Sequence, residues 1–268
     1  MQITIINDCR DENAKGRQVT RAESLFNAPV SFIGATHDLE ASGMIIDTLD
    51  SLYGGKGLIL ANVAPRSRKA WWLSKSIDKF SHFNNLDNGT PFCYTRVDNT
   101  DIVSTLGGYM LSLLKKFKLI DKVHVFNYHE SLKELVKLLI IDQEEADRIS
   151  STQFRSLNFM PRVAHAYISK GILCPGVEVP IEGIPDAPAR AWFADNFGNI
   201  KTTLTLDDYG GKMPKEIELG GRTIPMYNRL KDVPEGQLGA AVGSSGYKDD
   251  RFIEVYIQGG NAAEVIDV

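Results

Sequence analysis

Between Gly171 and Pro188 the chain carries Pro175, Pro180, Pro185 and Pro188 among Gly176 and Gly183. Proline cannot donate to a ladder and glycine weakens regular structure, so such a stretch marks a joint between folding units. The patterning changes across it. Before the joint, apolar runs of strand length alternate with helix-period segments; after it, short period-two runs are separated by turn residues. This predicts an α/β protein in two parts. An N-terminal α/β domain with a mostly parallel sheet covers 1–172, a linker covers 173–188, and a small β-barrel or sandwich domain covers 189–268. With 268 residues, 43% of them apolar, the chain can fill two modest cores.

The N-terminal part opens with an apolar run, 3–7, that reads as a buried strand closed by Asp8. At that position Asp8 either meets a ligand at the carboxyl end of an open sheet or caps the polar segment 11–14. A second strand is expected at 29–34 and a third at 57–63. Between them, 39–53 shows helical spacing through Leu39, Ile45, Ile46, Leu49 and Leu52, stopped by Gly54 and Gly55. Strand, helix and strand with short joints predict a right-handed βαβ unit. A basic loop over 64–69 follows, and 70–91, with Trp71 and Trp72, shows no period. A strand is predicted at 92–97. Asp98, Asn99 and Thr100 then read as a cap for a helix over 100–117, apolar at Ile102, Leu106, Met110, Leu113 and Leu114. Further on come a strand at 123–126, a helix at 132–141, and a helix with Pro161 in its first turn. Past the joint, strands are expected at 201–206, 216–219, 223–227, 239–242 and 252–257.

A formal net charge of −4 argues against a nucleic-acid partner. No apolar run is long enough to span a membrane, and the segment 1–6 has no basic leader, so a cytoplasmic protein is expected. Cys9, Cys93 and Cys174 form no zinc or disulfide pattern, and the five histidines show no metal spacing, so no metal is expected. G-x-S-x-G, Walker and G-x-G-x-x-G runs are missing, which removes those enzyme classes.

The stretch 194–203, Ala-Asp-Asn-Phe-Gly-Asn-Ile-Lys-Thr-Thr, has the residue types of a small-molecule site. Asp195 accepts from an amine or hydroxyl, Phe197 offers an aromatic face, Gly198 permits close approach, and Asn199 both donates and accepts. The same residues also suit a plain β-turn at a strand end. Two later stretches favour the site: 243–247, Gly-Ser-Ser-Gly-Tyr, read as a small-residue turn, and 258–263, Gln-Gly-Gly-Asn-Ala-Ala.

Together these motifs resemble the S-adenosyl-L-methionine (SAM) hydroxide adenosyltransferases, or SAM hydrolases, and their fluorinating and chlorinating relatives. The family pattern D-x-F-G-N-x-x-T-N matches 195–203, with Thr203 in the last place, and G-S-x-G-Y with G-N-A-A matches 243–247 and 260–263. Weaker correspondences are Asn7-Asp8, Asp38-Leu39-Glu40, Asp98-Asn99, Arg155 and Pro161. The resemblance implies a homotrimer holding its nucleoside substrate at the subunit interface, with SAM as substrate and no cofactor. Carried over residue by residue, Asp8 binds the ribose hydroxyls and His37 lies beside the methionine. Asn199 and the backbone near Asn261 and Ala262 read adenine, and Phe197 lines the pocket. Asp195 and Ser244 hold the methionine amino group.

The water-handling half departs from the pattern. The family's Asp of D-P-G-V-G is here Ala64, followed by Arg66 and Arg68, and the His of F-H-G-R is Gln153, two residues before Arg155. Arg68, Gln153 and Arg155 are the remaining catalytic candidates. Hydrolysis of SAM to adenosine and L-methionine is expected, with a binding protein lacking turnover and a halogenase-like transferase as alternatives.

Overall fold

A computed structural model describes residues 1–64 and 89–266. The chain divides into two compact units, Met1–Pro185 and Asp186–Val268.

In the first unit, β1 (Gln2–Asn7) is followed by α1 (Glu12–Phe26), β2 (Val30–Gly34), α2 (Asp38–Leu52) and β3 (Gly57–Asn62). Next come β4 (Phe92–Val97), β5 (Thr100–Thr105), α3 (Ser112–Lys116), β6 (Lys122–Phe126), α4 (Tyr128–Lys137), α5 (Gln143–Ser151), α6 (Arg155–Asn158), α7 (Met160–Lys170) and β7 (Gly176–Pro180). Their seven strands form one sheet in the order β2-β1-β3-β5-β4-β6-β7. The pairs β1–β2, β1–β3 and β3–β5 are parallel; β4–β5, β4–β6 and β6–β7 are antiparallel. Five strands therefore share one direction, and β4 and β7 oppose them.

Parallel strands covered on both faces need apolar residues throughout, not on alternate positions. Accordingly Ile3, Ile5, Leu58, Leu60 and Val103 join a core with residues of α1, α4, α5 and α7. The intervening Ile6, Ile59, Ala61 and Ile102 are buried as well, and α2 packs on β1 and β3. Each such side chain contributes roughly 1.5–3 kcal/mol by leaving water.

Several expectations for this unit are corrected. The helix over 100–117 is instead β5, a turn and the short α3. Its apolar spacing suits a helix, but Thr100–Thr105 is buried at every position as a central strand, and Gly107-Gly108 breaks the chain after it. Asp98 and Asn99 turn the β4–β5 hairpin, Asp98 with φ +49°, and cap no helix. The helix expected at 132–141 begins earlier, at Tyr128, with Asn127 as its cap. The stretch 173–188, read as a linker, contributes β7, whose residues 176–180 pair with β6. The readings of 65–69 and of 70–88 lie outside the described residues.

In the second unit, β8 (Ala191–Ala194), β9 (Ile200–Thr205), β12 (Leu238–Tyr247) and β13 (Asp250–Ile257) form an antiparallel sheet, order β12-β13-β9-β8. β10 (Glu216–Leu219) and β11 (Arg222–Pro225) form a ribbon. Ile200, Leu204, Ala240, Ile253 and Val255 of the sheet share a core with Ile217, Leu219 and Ile224 of the ribbon. Of the two architectures expected here, this is the layered one; among the described residues no barrel closes. The stretch 243–247 is not a turn. It ends β12 as a bulged strand, shifted in register between Val242 and Gly246, and the turn falls at Lys248 with φ +54°.

Candidate functional site

In the first unit the chain leaves β1 for β2 on one side and later for β3 on the other. Open α/β sheets bind ligands beside the carboxyl ends of strands at such a reversal. Asp8 and Ala64 stand there. The Asp8 backbone N–H donates to Asn62 O at 3.2 Å. Asn62 Nδ2 donates to Asp8 Oδ1 at 3.3 Å, and Ala64 N–H donates to Oδ2 at 3.1 Å. The cap of α1 is Asp11, whose Oδ1 accepts from the N–H groups of Asn13 and Ala14, so the capping role considered for Asp8 falls. Beneath it, Asn7 is fully buried; its Nδ2 donates to Gln18 Oε1 at 2.7 Å and its Oδ1 accepts from Cys9 N–H at 2.9 Å.

His37 follows β2 and caps α2, its Nδ1 accepting from Glu40 N–H at 3.1 Å. With Nδ1 used as an acceptor, the neutral ring carries its proton on Nε2 and presents a donor there. Asp38 Oδ2 accepts from Tyr109 N–H at 2.8 Å. A Cβ on Gly108, φ +55°, would lie 1.8 Å from that oxygen, so only glycine lets the loop after β5 dock on α2. Glu40, buried, accepts from both the N–H and the hydroxyl of Thr36.

Arg155 opens α6 at the same sheet edge. Its Nη2 donates to Thr90 O at 2.9 Å, and the guanidinium lies 5.3 Å from the Phe92 ring and 5.9 Å from the Tyr128 ring. Burial lowers its pKa, yet an arginine remains cationic. Phe92 starts β4, three strand spacings or about 14 Å from β1. Asp8 and Arg155 are thus separate stations on one edge. Gln153 is exposed, and its carbonyl accepts from Arg155 N–H at 3.0 Å. Arg68 lies outside the described residues.

In the second unit the 195–199 loop is the β8–β9 hairpin turn, and it holds itself. Asp195 Oδ1 accepts from Phe197 N–H at 2.8 Å and Asn199 N–H at 2.9 Å, and Oδ2 accepts from Asn199 Nδ2 at 3.0 Å. With its carboxylate so engaged, the loop projects Phe197, which is 71% exposed. The 260–263 motif docks directly on it: Ala263 N–H donates to Gly198 O at 3.1 Å. Gly198 has φ +80°, and a Cβ there would lie 1.9 Å from Asn261 Oδ1. Asn261 also caps the short turn Ala262–Glu264, accepting from Ala263 N–H at 3.0 Å. Ala262 is buried, its carbonyl accepting from the N–H groups of Val265 and Ile266.

Ser244 is on the bulge of β12, and its carbonyl accepts from Arg251 Nη1 at 3.0 Å. It lies between the pairs Val242–Ile253 and Gly246–Arg251, whereas the 195–199 turn adjoins the pair Ile200–Val255. That places Ser244 about 10 Å along β13 from the turn. Asp195 and Ser244, expected to share one amino group, are not brought together; Asn199, Phe197, Asn261 and Ala262 are.

Residues 189–268 match the family model described as the SAM hydroxide adenosyltransferase C-terminal domain. The C-terminal unit is similar to that domain over almost its whole length. The resemblance drawn from the motifs is thereby borne out, and an enzyme family is its setting. A curated (R)-S-adenosyl-L-methionine hydrolase from Thermus thermophilus is 32% identical over 116 residues, 40% of this chain and 42% of that protein. The match therefore spans less than half of that relative. An uncharacterized conserved protein from Thermotoga maritima has a solved structure similar over 99% of this chain and 96% of its own, with a TM-score of 0.66 and 13% identity. A conserved hypothetical protein, also from Thermus thermophilus, gives 0.55 and 18%, over 98% and 94%. Both show the fold shared with the present chain.

Sequence reasoning missed the buried polar supports: Gln18 and Asn62 in the first unit, Glu254 and Tyr256 in the second. Only Glu254 left a signal, since its same-face neighbours at i±2 are Phe252 and Tyr256. Among the described residues no group of three or more His, Cys, Asp or Glu could hold a metal ion, and no helix is long and apolar enough to cross a membrane.

Proposed function

We propose that this protein cleaves SAM at C5′ with water or hydroxide, giving adenosine and L-methionine. The interlock of the two family motifs, Ala263 N–H on Gly198 O with Asn261 in the place of a side chain at 198, carries this reading. The same turn carries Phe197, 71% exposed, and the Asn199 amide, bonded to Asp195; an aromatic face and an amide edge are groups that recognise adenine. Phe197, Asn199, Asn261 and Ala262 take the adenine end in this reading, and Ser244 the amino-acid end. Asp195 orders the loop. Asp8 takes the ribose hydroxyls and His37 donates to the amino-acid part.

The reaction asks little of the protein. An oxygen nucleophile bonds to C5′ as the C5′–S bond breaks; the electron pair goes to sulfur, and the sulfonium becomes the thioether of methionine. The proton of an attacking water passes to solvent. Aligning the nucleophile and excluding competing water supply the acceleration, and no cofactor is required. In this reading Arg68 contributes positive charge and Gln153 orients water without taking its proton, while Arg155, bonded to Thr90 O, orders its own station of the sheet edge. Ala64 offers no base where the family has a carboxylate, so turnover is slow. The reading includes the homotrimer and a cytoplasmic setting. Light scattering at micromolar concentration with SAM present tests the assembly: a trimer mass is expected, and a monomer mass refutes it.

Incubation with SAM, with and without halide, tests the chemistry. Adenosine and methionine are the expected products; a halogenated nucleoside, or bound and unchanged SAM, overturns the hydrolytic reading.

A further inference from the structure

The middle of β13 buries a carboxylate that no role above uses. Glu254 is 7% exposed. Such a group is costly unless its oxygens are bonded, and both are. Ser245 N–H donates to Oε1 at 3.3 Å, and the Tyr256 hydroxyl donates to Oε2 at 2.8 Å. Lys201 stands opposite Glu254 in register on β9. Its Nζ donates to Ser245 Oγ at 3.2 Å and lies 5.3 Å from the Trp192 ring. The Glu254 carboxyl also fills the room of a side chain at 243: a Cβ on Gly243 would lie 2.2 Å from its Cδ.

These contacts fall on the irregular part of β12. Glu254 grips the bulge at Gly243 and at Ser245, and the residue between them is Ser244. In the other direction the Tyr256 phenol, its pKa raised first by burial and then by the Glu254 charge, also feels the charge of Asp195. A line of polar groups thus runs along β13 from the 195–199 turn to the bulge, about 10 Å apart.

We propose that Glu254, with Tyr256 beside it, is a positioning residue that sets Ser244 for the amino-acid end of the substrate. This rests on the SAM reading above.

Calorimetry with two probes tests it: S-adenosyl-L-homocysteine, which carries the amino-acid tail, and adenosine, which lacks it. Glu254→Ala is expected to weaken S-adenosyl-L-homocysteine by about tenfold or more and to leave adenosine within about twofold. Gly243→Ala, whose Cβ displaces the carboxyl, gives the same split and decides the matter if Glu254→Ala does not fold. Glu254→Gln keeps an acceptor for Ser245 N–H and a partner for Tyr256, and holds S-adenosyl-L-homocysteine binding within about threefold. Equal losses for both probes, no loss for either, or a Gln variant as weak as the Ala variant overturns the proposal. Failure of the unaltered protein to bind either probe overturns the SAM reading, and this inference with it.

Discussion

Asp8 and Asp195 both end a strand, but their partners come from different distances. Asn62, which donates to Asp8, is 54 residues away, and Ala64 is 56 away. The donors to Asp195 are 2 and 4 residues away. The first carboxylate is placed by sheet topology, and its position exists only once β3 has paired with β1. The second is placed by its own turn, within a unit whose motifs then lock on each other. A site built from local turns keeps its geometry as long as a few residues stay; a site at a sheet edge depends on everything that sets the strand order.

The substitution expected to do most damage is Gly198→Ala. It combines a left-handed backbone with a Cβ 1.9 Å from Asn261 Oδ1, so the interlock must open. A loss of about 3 kcal/mol in urea unfolding is expected, with nucleoside binding abolished. Wild-type stability in this variant would mean that the two motifs are not locked to one another.

Next in size is Asp195→Ala, which removes the shared acceptor of two backbone N–H groups and of the Asn199 amide. About 2–3 kcal/mol of stability and a similar share of adenosine affinity should go. Asp195→Asn keeps the Oδ1 acceptor and should lose about 1 kcal/mol or less. If the Asn variant is as weak as the Ala variant, the carboxylate meets ligand directly and the self-held loop is the wrong picture.

Asp8→Ala is the smallest change. Its donors lie at a sheet edge where water can replace the carboxylate, so stability should move by about 1 kcal/mol. Adenosine binding should weaken by about tenfold, and binding of adenine, which has no ribose, should not change. Equal weakening of both would remove Asp8 from the ribose.

The same contrast explains what can be read in the sequence. The strands at 3–7, 29–34 and 57–63 are visible as apolar runs with clear stops, and the 195–199 turn is visible because its chemistry is contained in its own residues. β5 is misleading because a strand buried on both faces has no period of two, leaving a chance spacing of apolar residues to suggest a helix, although Gly107-Gly108 speaks against it. The bulge at 243–246 is misleading because small residues suit a turn and a seat for a buried side chain equally well. That the seat belongs to Glu254 depends on the pairing of β12 with β13, which no local pattern encodes. Asp8 can be placed at a strand end, but its partners depend on the order of the strands.

The rate of adenosine release from SAM against pH is the most direct measurement of all. In the hydrolytic reading proposed above, Ala64 just past the end of β3 and Gln153 accept no proton, so the nucleophile draws on hydroxide from bulk. Release should be slow and should rise with pH from about 6 to about 9. A pH-independent rate over that range, with chemistry rate-limiting, would contradict this and assign the proton to another residue, and the absence of adenosine at every pH would end the hydrolytic reading.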